Sequence, residues 1–257
     1  MTACRNFRKI LRSIREPPCL SRLPTSSGTA SLNISLYGIS VWILPIIVAI
    51  TFHEAAHAYV AWRFGDDTAL RLGRVSFNPL KHIDPFGTIL LPGMLLFSGS
   101  PFLFGYAKPV PVDFRNLQPL RAGMVMVALA GPATNIALAL AAGLAFHLLP
   151  LVPADGARWV ASNLINAFSF NILLAVFNML PIPPLDGGRV AVGLLPSVLA
   201  RPLARLEPWG MLILIGFLIV LPLAGSQFGL NLNFVSGLLR AITDSLNQLL
   251  LLLTGNA

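Results

Sequence analysis

From Leu36 to Trp62 the chain runs almost without a break in apolar side chains, and its only histidines and acid there are in His53-Glu54-Ala55-Ala56-His57. A run of that length suits a membrane-spanning helix, where ionisable groups are costly and mark function by default. Residues four apart on a helix share a face, so both imidazoles can point at one metal ion. Glu54 is placed to take a proton from a water on that metal. A soluble enzyme would carry this motif on a helix with a charged outer face. Here the flanks Val41–Ile50 and Ala58–Trp62 belong in a bilayer. The pattern reads as metal-assisted hydrolysis within the membrane.

Composition agrees. The 257 residues are 55% hydrophobic and only 11% charged, with a mean hydropathy of +0.75, whereas soluble domains carry about 25% charged residues. The formal charge of +8 does not indicate nucleic-acid binding, because the bases cluster in loops beside apolar spans, as membrane topology requires. Cys4 and Cys19 both lie near the N-terminus, so they support no disulfide framework and offer the core no thiolate.

The expected organisation is a basic, disordered arm over 1–35, a polytopic membrane core over 36–224 and an amphipathic segment over 225–257. The arm lacks the apolar stretch of a secretory signal and is left out of the functional reading. Strong apolar spans cover about 36–62, 122–149, 160–181 and 208–224. A fifth stretch, 86–104, is interrupted by Pro92, Gly93, Gly99 and Pro101. The last segment alternates Leu and Ile with Arg240, Asp244, Asn247 and Gln248 at helical spacing, the pattern of an interfacial helix. The fold class is an all-α, multi-pass helical bundle.

A catalytic zinc takes three protein ligands and keeps one position for water. Asp186 is the candidate third ligand. It follows Asn178 in a proline-rich run, 178–188, that closes the 160–181 span, and irregular backbone at membrane depth is tolerated where it lines a cavity. An Asp-Gly turn is its plain structural role, but beside the histidine motif the ligand reading is favoured. If His53, His57 and Asp186 share one metal, spans 36–62 and 160–181 must run in the same direction. With 122–149 crossing between them, 86–104 must then be re-entrant. Loop charge agrees, since Arg63, Arg71, Arg74, Lys81, Lys108, Arg115, Arg121, Arg189, Arg201 and Arg205 then share one side. The opposite side keeps Arg158 in a short loop, Arg240 in the tail and the arm itself, which is the exception. The metal is therefore expected toward the cytosolic face of a cell membrane.

Taken together these residues resemble the site-2 protease family of intramembrane zinc metalloproteases, and most closely its small bacterial members without a PDZ or CBS domain. His53, Glu54 and His57 match the family's first motif. Asn178, Pro181, Pro183, Leu185, Asp186 and Gly187 match its second. The runs 73–79, 105–112 and 131–135 are of a kind its members show. The resemblance implies one Zn²⁺ per chain, a transmembrane protein substrate, and a re-entrant loop with a β-hairpin over 86–112 that receives substrate as an added strand.

The expected mechanism has His53, His57 and Asp186 holding the zinc and Glu54 as general base. Asn178 or Asn135 could donate an amide to the oxyanion, although a hydrogen bond between helices is the simpler role for each. Neither His82, read as a surface or capping residue, nor His147 is assigned a role. The rival reading is a transporter or channel using the same groups as a relay; against it, no chain of ionisable groups leads across the other spans. A non-cleaving metal scaffold would be expected to lack Glu54.

Overall fold

The structure is a computed structural model, and it describes residues 36–90, 94, 108–227 and 234–257. Among the described residues it is helical, with no strand. Three helices are long and apolar enough to cross a membrane: α1 (Leu36–Arg63), α2 (Leu120–Ala145, extended by a 3₁₀ segment to Leu151) and α3 (Ala154–Asn178). Two shorter helices follow, α4 (Asp186–Leu194) and α5 (Ser197–Arg205). The fourth apolar span expected from sequence, 208–224, forms a helical rod over 210–227 with a π-helical turn at Gly216–Val220.

Small residues let the three long helices approach closely. Ala49, Ala58 and Ala61 of α1 are fully buried, and α2 turns a stripe of Gly131, Asn135, Ala139 and Ala142 inward. Such faces permit the close backbone contact on which helix association in lipid depends. Large side chains such as Trp42, Leu44, Leu144 and Leu173 point outward, as they do on a lipid-facing surface.

Helix direction follows from polar contacts. The Tyr37 hydroxyl lies 2.9 Å from Ser162 Oγ, Trp159 donates to Ser40 and Asn166 donates to the Val41 carbonyl. The beginnings of α1 and α3 therefore lie side by side, and the two helices are parallel. On α2 the order is reversed, with Asn135 at the level of Ala49 and Val127 at the level of His57. This is the arrangement that a shared metal demands.

The connection from α1 to α2 leaves and returns at one end. The Gln118 amide donates to the Phe64 carbonyl at 2.8 Å, and Asp66 accepts from the Asp113 amide and from Asn116. The described ends of segment 64–118 thus lie together at one end of the bundle. The expected re-entrant excursion and β-hairpin fall largely on 91–93 and 95–107, outside the described residues. Of that region, Pro85–Leu90 is a π-helical segment and 108–112 is irregular chain.

The C-terminal helix α6 (Phe234–Leu253) packs on α3 and α2, with Leu250 joining the cluster of Ala139, Ala142, Phe168, Ile172 and Val176. Its outer face shows Leu238, Ile242, Leu249 and Leu252. Asp244, Asn247 and Gln248 line a cleft between α2, α3 and α6. The polar stripe that suggested an interfacial helix is thus partly turned toward the bundle.

Candidate metal centre

His53 and His57 lie one turn apart on the buried side of α1, 6% and 9% exposed. Asp186 arrives at the first turn of α4, where an acid suits the positive end of the helix. The segment before it is shaped by Pro181, Pro183 and Pro184, which bend the chain so that Asp186 faces α1. A side chain at Gly187 would overlap the carbonyls of Met179 and Leu180, so this fold-back requires glycine there.

The three donor atoms converge. His53 Nε2 and His57 Nε2 are 3.0 Å apart, and Asp186 Oδ2 lies 3.3 and 3.4 Å from them. Ligand atoms about 2.05 Å from a tetrahedral zinc are about 3.3 Å from one another, so the triangle has the right size. Asp186 Oδ2 is buried and makes no hydrogen bond among the described residues. A buried carboxylate oxygen in that state fits a cation. The donor set, two imidazoles and one carboxylate, fits catalytic zinc.

Both imidazoles are held in the tautomer a metal needs. His57 Nδ1 is 2.7 Å from the Val127 carbonyl, which can only accept. His53 Nδ1 is 2.6 Å from Asn135 Oδ1, whose amide nitrogen in turn donates to the Ala49 carbonyl and to Asn171 Oδ1. Each Nδ1 therefore carries its proton, and each Nε2 presents a lone pair to the common point. Pro132, inside α2, has no N–H to give the Ala128 carbonyl and loosens the turn beside Val127.

Gly131 of α2 closes the site from the other side. A Cβ there would overlap the His57 ring and stand 2.5 Å from Cε1 and 2.7 Å from Nε2 of His53. Glu54, half-buried beside the site, accepts from the Val110 amide at 2.9 Å through Oε2.

Both asparagine amides are already engaged in hydrogen bonds. Asn135 is fully buried behind His53, and its amide donates to Ala49 and Asn171, so its oxygen, not its nitrogen, faces the centre. It steadies His53, which is the simpler helix-to-helix role weighed above. Asn178 donates to the Leu174 carbonyl of its own helix. His82, expected as a surface or capping residue, is buried at the C-cap of the 3₁₀ turn Pro79–Lys81, its amide on the Pro79 carbonyl and Nε2 on the Ser76 carbonyl. His147 binds the Thr254 carbonyl, remote in sequence from the motif. Sequence reasoning missed Asn171, Val127 and Gly131. Asn171 was visible as a polar residue in an apolar span, whereas a carbonyl and a glycine carry no such mark.

Comparison with known proteins gives a consistent result. The model of the family described as Peptidase family M50 matches residues 152–223, which include Asn178 and Asp186. A Bacillus subtilis relative named as a candidate zinc metalloprotease, YwhC, is 42% identical over 188 residues, covering 70% of this chain and 80% of its own. The similarly named Rip2 of Mycolicibacterium smegmatis is 32% identical over 230 residues, covering 83% and 84%. Rip2 of Mycobacterium tuberculosis is 33% identical over 132 residues, 49% of each chain. No solved structure gives a significant match.

Proposed function

Because this chain belongs to peptidase family M50, the site-2 protease family, and is a zinc metalloprotease of the membrane, we propose that it hydrolyses peptide bonds in or near the transmembrane segments of membrane-protein substrates. The observation that carries this reading is the convergence of two imidazoles and one carboxylate, with Glu54 beside them, inside helices that suit a bilayer. His53, His57 and Asp186 are the zinc ligands. Bound there, zinc supplies Lewis-acid chemistry, acidifying water and polarising the scissile carbonyl.

Glu54 accepts the proton of the attacking water and returns it to the leaving amine nitrogen. Val110 engages one carboxylate oxygen, which leaves the other for that proton. Asn135 and the Val127 carbonyl hold the two imidazoles in their ligating tautomers. Asn178 is the remaining side-chain candidate for the oxyanion, and it must first leave the Leu174 carbonyl. The catalytic unit is residues 36–224, with 1–35 a basic arm and 225–257 a C-terminal segment. The charge asymmetry supports a cell-membrane location with the centre toward the cytosol.

The substrate must present extended chain, because a helix hides its amides. The test is cleavage of a membrane-embedded reporter by purified protein in bilayer discs. Wild type should cut a reporter carrying helix-weakening residues and spare a uniform poly-leucine span, and Glu54→Gln should cut neither. Equal cleavage of both spans, or cleavage by Glu54→Gln, would refute the reading.

A further inference from the structure

Among the described residues one cation is buried, and no carboxylate pairs with it. Arg74 is 7% exposed, and it is absent from the ion pairs the described residues make. Its guanidinium donates instead to the carbonyl of Lys108 at 2.7 Å and to that of Pro109 at 3.4 Å. A buried charge without a counter-ion is costly, so its presence calls for a function.

Main-chain hydrogen bonds of 108–110 indicate one. The Lys108 amide donates to the His82 carbonyl at 3.0 Å. The Lys108 and Pro109 carbonyls accept from Arg74, and Pro109 has no N–H to give. The next donor is Val110, and it goes to Glu54 Oε2 at 2.9 Å. His82 is itself fixed, buried with its ring on the Ser76 carbonyl. Lys108 is thus gripped on both sides by the 74–82 loop, two residues before the contact that Val110 makes with Glu54. Pro109 fixes its own φ and restricts Lys108 before it, so a shift at Lys108 is carried on to the Val110 N–H.

We propose that Arg74 is a positioning residue for Glu54: by clamping two successive carbonyls it sets the register at which the Val110 N–H meets the carboxylate, and so holds the base against the metal centre. This rests on the reading of Glu54 as the base. Both hydrogen bonds come from one guanidinium nitrogen, Nη2, the one to Lys108 short and the one to Pro109 long, and the planar group fixes where that nitrogen sits more tightly than a flexible lysine stem would. Arg74 acts through the main chain and touches neither substrate nor ligand.

The test uses the full-length protein in bilayer discs, with two readouts. The first is hydrogen exchange of 108–112 in metal-free protein, where Lys108, Val110 and Val112 carry the only amides. Arg74→Gln should speed exchange at Lys108 and Val110 at least tenfold, and Glu54→Ala should speed it at Val110 alone. The second is cleavage by zinc-loaded protein. Arg74→Gln should lower kcat about 10- to 100-fold, leaving KM within about twofold and zinc content at the wild-type level. Arg74→Lys should recover part of that loss. Val110→Pro, which deletes the donor itself, should match Arg74→Gln, and the double variant should fall no further. Arg71→Gln, at an exposed ion pair with Asp67, is the control that behaves as wild type.

Wild-type exchange and kcat in Arg74→Gln would overturn the proposal, as would full activity in Val110→Pro. Loss of zinc from Arg74→Gln would overturn it too, by making the residue a general support of the fold. Should Glu54→Gln cleave as well as wild type, the reading of the base fails instead, and the exchange readout still decides whether the clamp exists.

Discussion

Replacing Gly131 by alanine sets two effects of opposite sign against each other. In a helix interior the change is ordinarily favourable by about 1 kcal/mol. At this position the new methyl would stand 2.5–2.7 Å from atoms of the His53 ring and overlap that of His57, roughly 1 Å inside ordinary contact. The rings cannot both yield without cost, because His53 is tied to Asn135 at 2.6 Å and His57 to Val127 at 2.7 Å. Metal–ligand distances tolerate only about ±0.2 Å, so a displacement several times larger removes productive ligation. The expected loss of zinc affinity is at least about 100-fold, or about 3 kcal/mol. In metal-free protein the rings can swing aside, giving up about 1 kcal/mol per hydrogen bond, about 2 kcal/mol for the pair, of which the gain in propensity offsets about half. The assay is zinc competition against a chelator of known affinity, beside thermal unfolding with and without zinc. Gly131→Ala should be only about 1 kcal/mol less stable than wild type without metal and lose most of the zinc-dependent stabilisation. Wild-type zinc affinity in this variant would refute the geometry.

Other expected outcomes are more direct. Asp186→Ala should purify with little zinc, whereas Glu54→Gln should retain near-stoichiometric zinc and lose cleavage by at least about 100-fold; metal analysis with the reporter assay separates the two. Asn135→Ala frees the His53 tautomer and strips Asn171 Oδ1 of its donor, so zinc affinity should fall about 10- to 100-fold, again read by chelator competition. Asp66 supplies a pH dependence. Burial would push its carboxyl up, but hydrogen bonds from Thr68, Asn116 and the Asp113 amide outweigh that and hold it below the usual range. Its contribution to stability is therefore complete above the unfolded value of about 3.9 and is lost as pH falls through the lowered folded value. Thermal unfolding across the acid range should show a step in wild type that Asp66→Asn lacks, and identical profiles would contradict this account.

The convergence of the three candidate donors was legible because they obey local rules. The spacing of His53 and His57 is fixed by the helix repeat, and Asp186 is the acid in a proline-broken segment at the end of an apolar span. The shared direction of α1 and α3 followed from requiring those three at one depth. What surrounds the ligands was not legible, because it is made by helices passing one another. Asn135 was a candidate for its amide nitrogen, yet the antiparallel register of α2 on α1 turns its oxygen to His53. The same register makes Gly131 a wall of the site. Arg74 was counted as one more loop charge, since burial of a loop arginine depends on where residues 108 and 109 return. The polar stripe of α6 gave a correct period and an incomplete surrounding, because periodicity does not say which neighbour a face meets.

The two histidines are braced by different kinds of matter, and this bears on how the centre can change over generations or in the laboratory. His57 leans on the main chain at Val127, which every residue type supplies, so no substitution at 127 deletes its partner. His53 leans on a side chain, itself steadied by the Asn171 side chain. Drift or design can therefore retune the basicity of one ligand through positions 135 and 171, while that of the other stays constant. Variants with altered metal preference should accumulate on the His53 arm, and the Val127 side should remain the fixed reference against which they are selected.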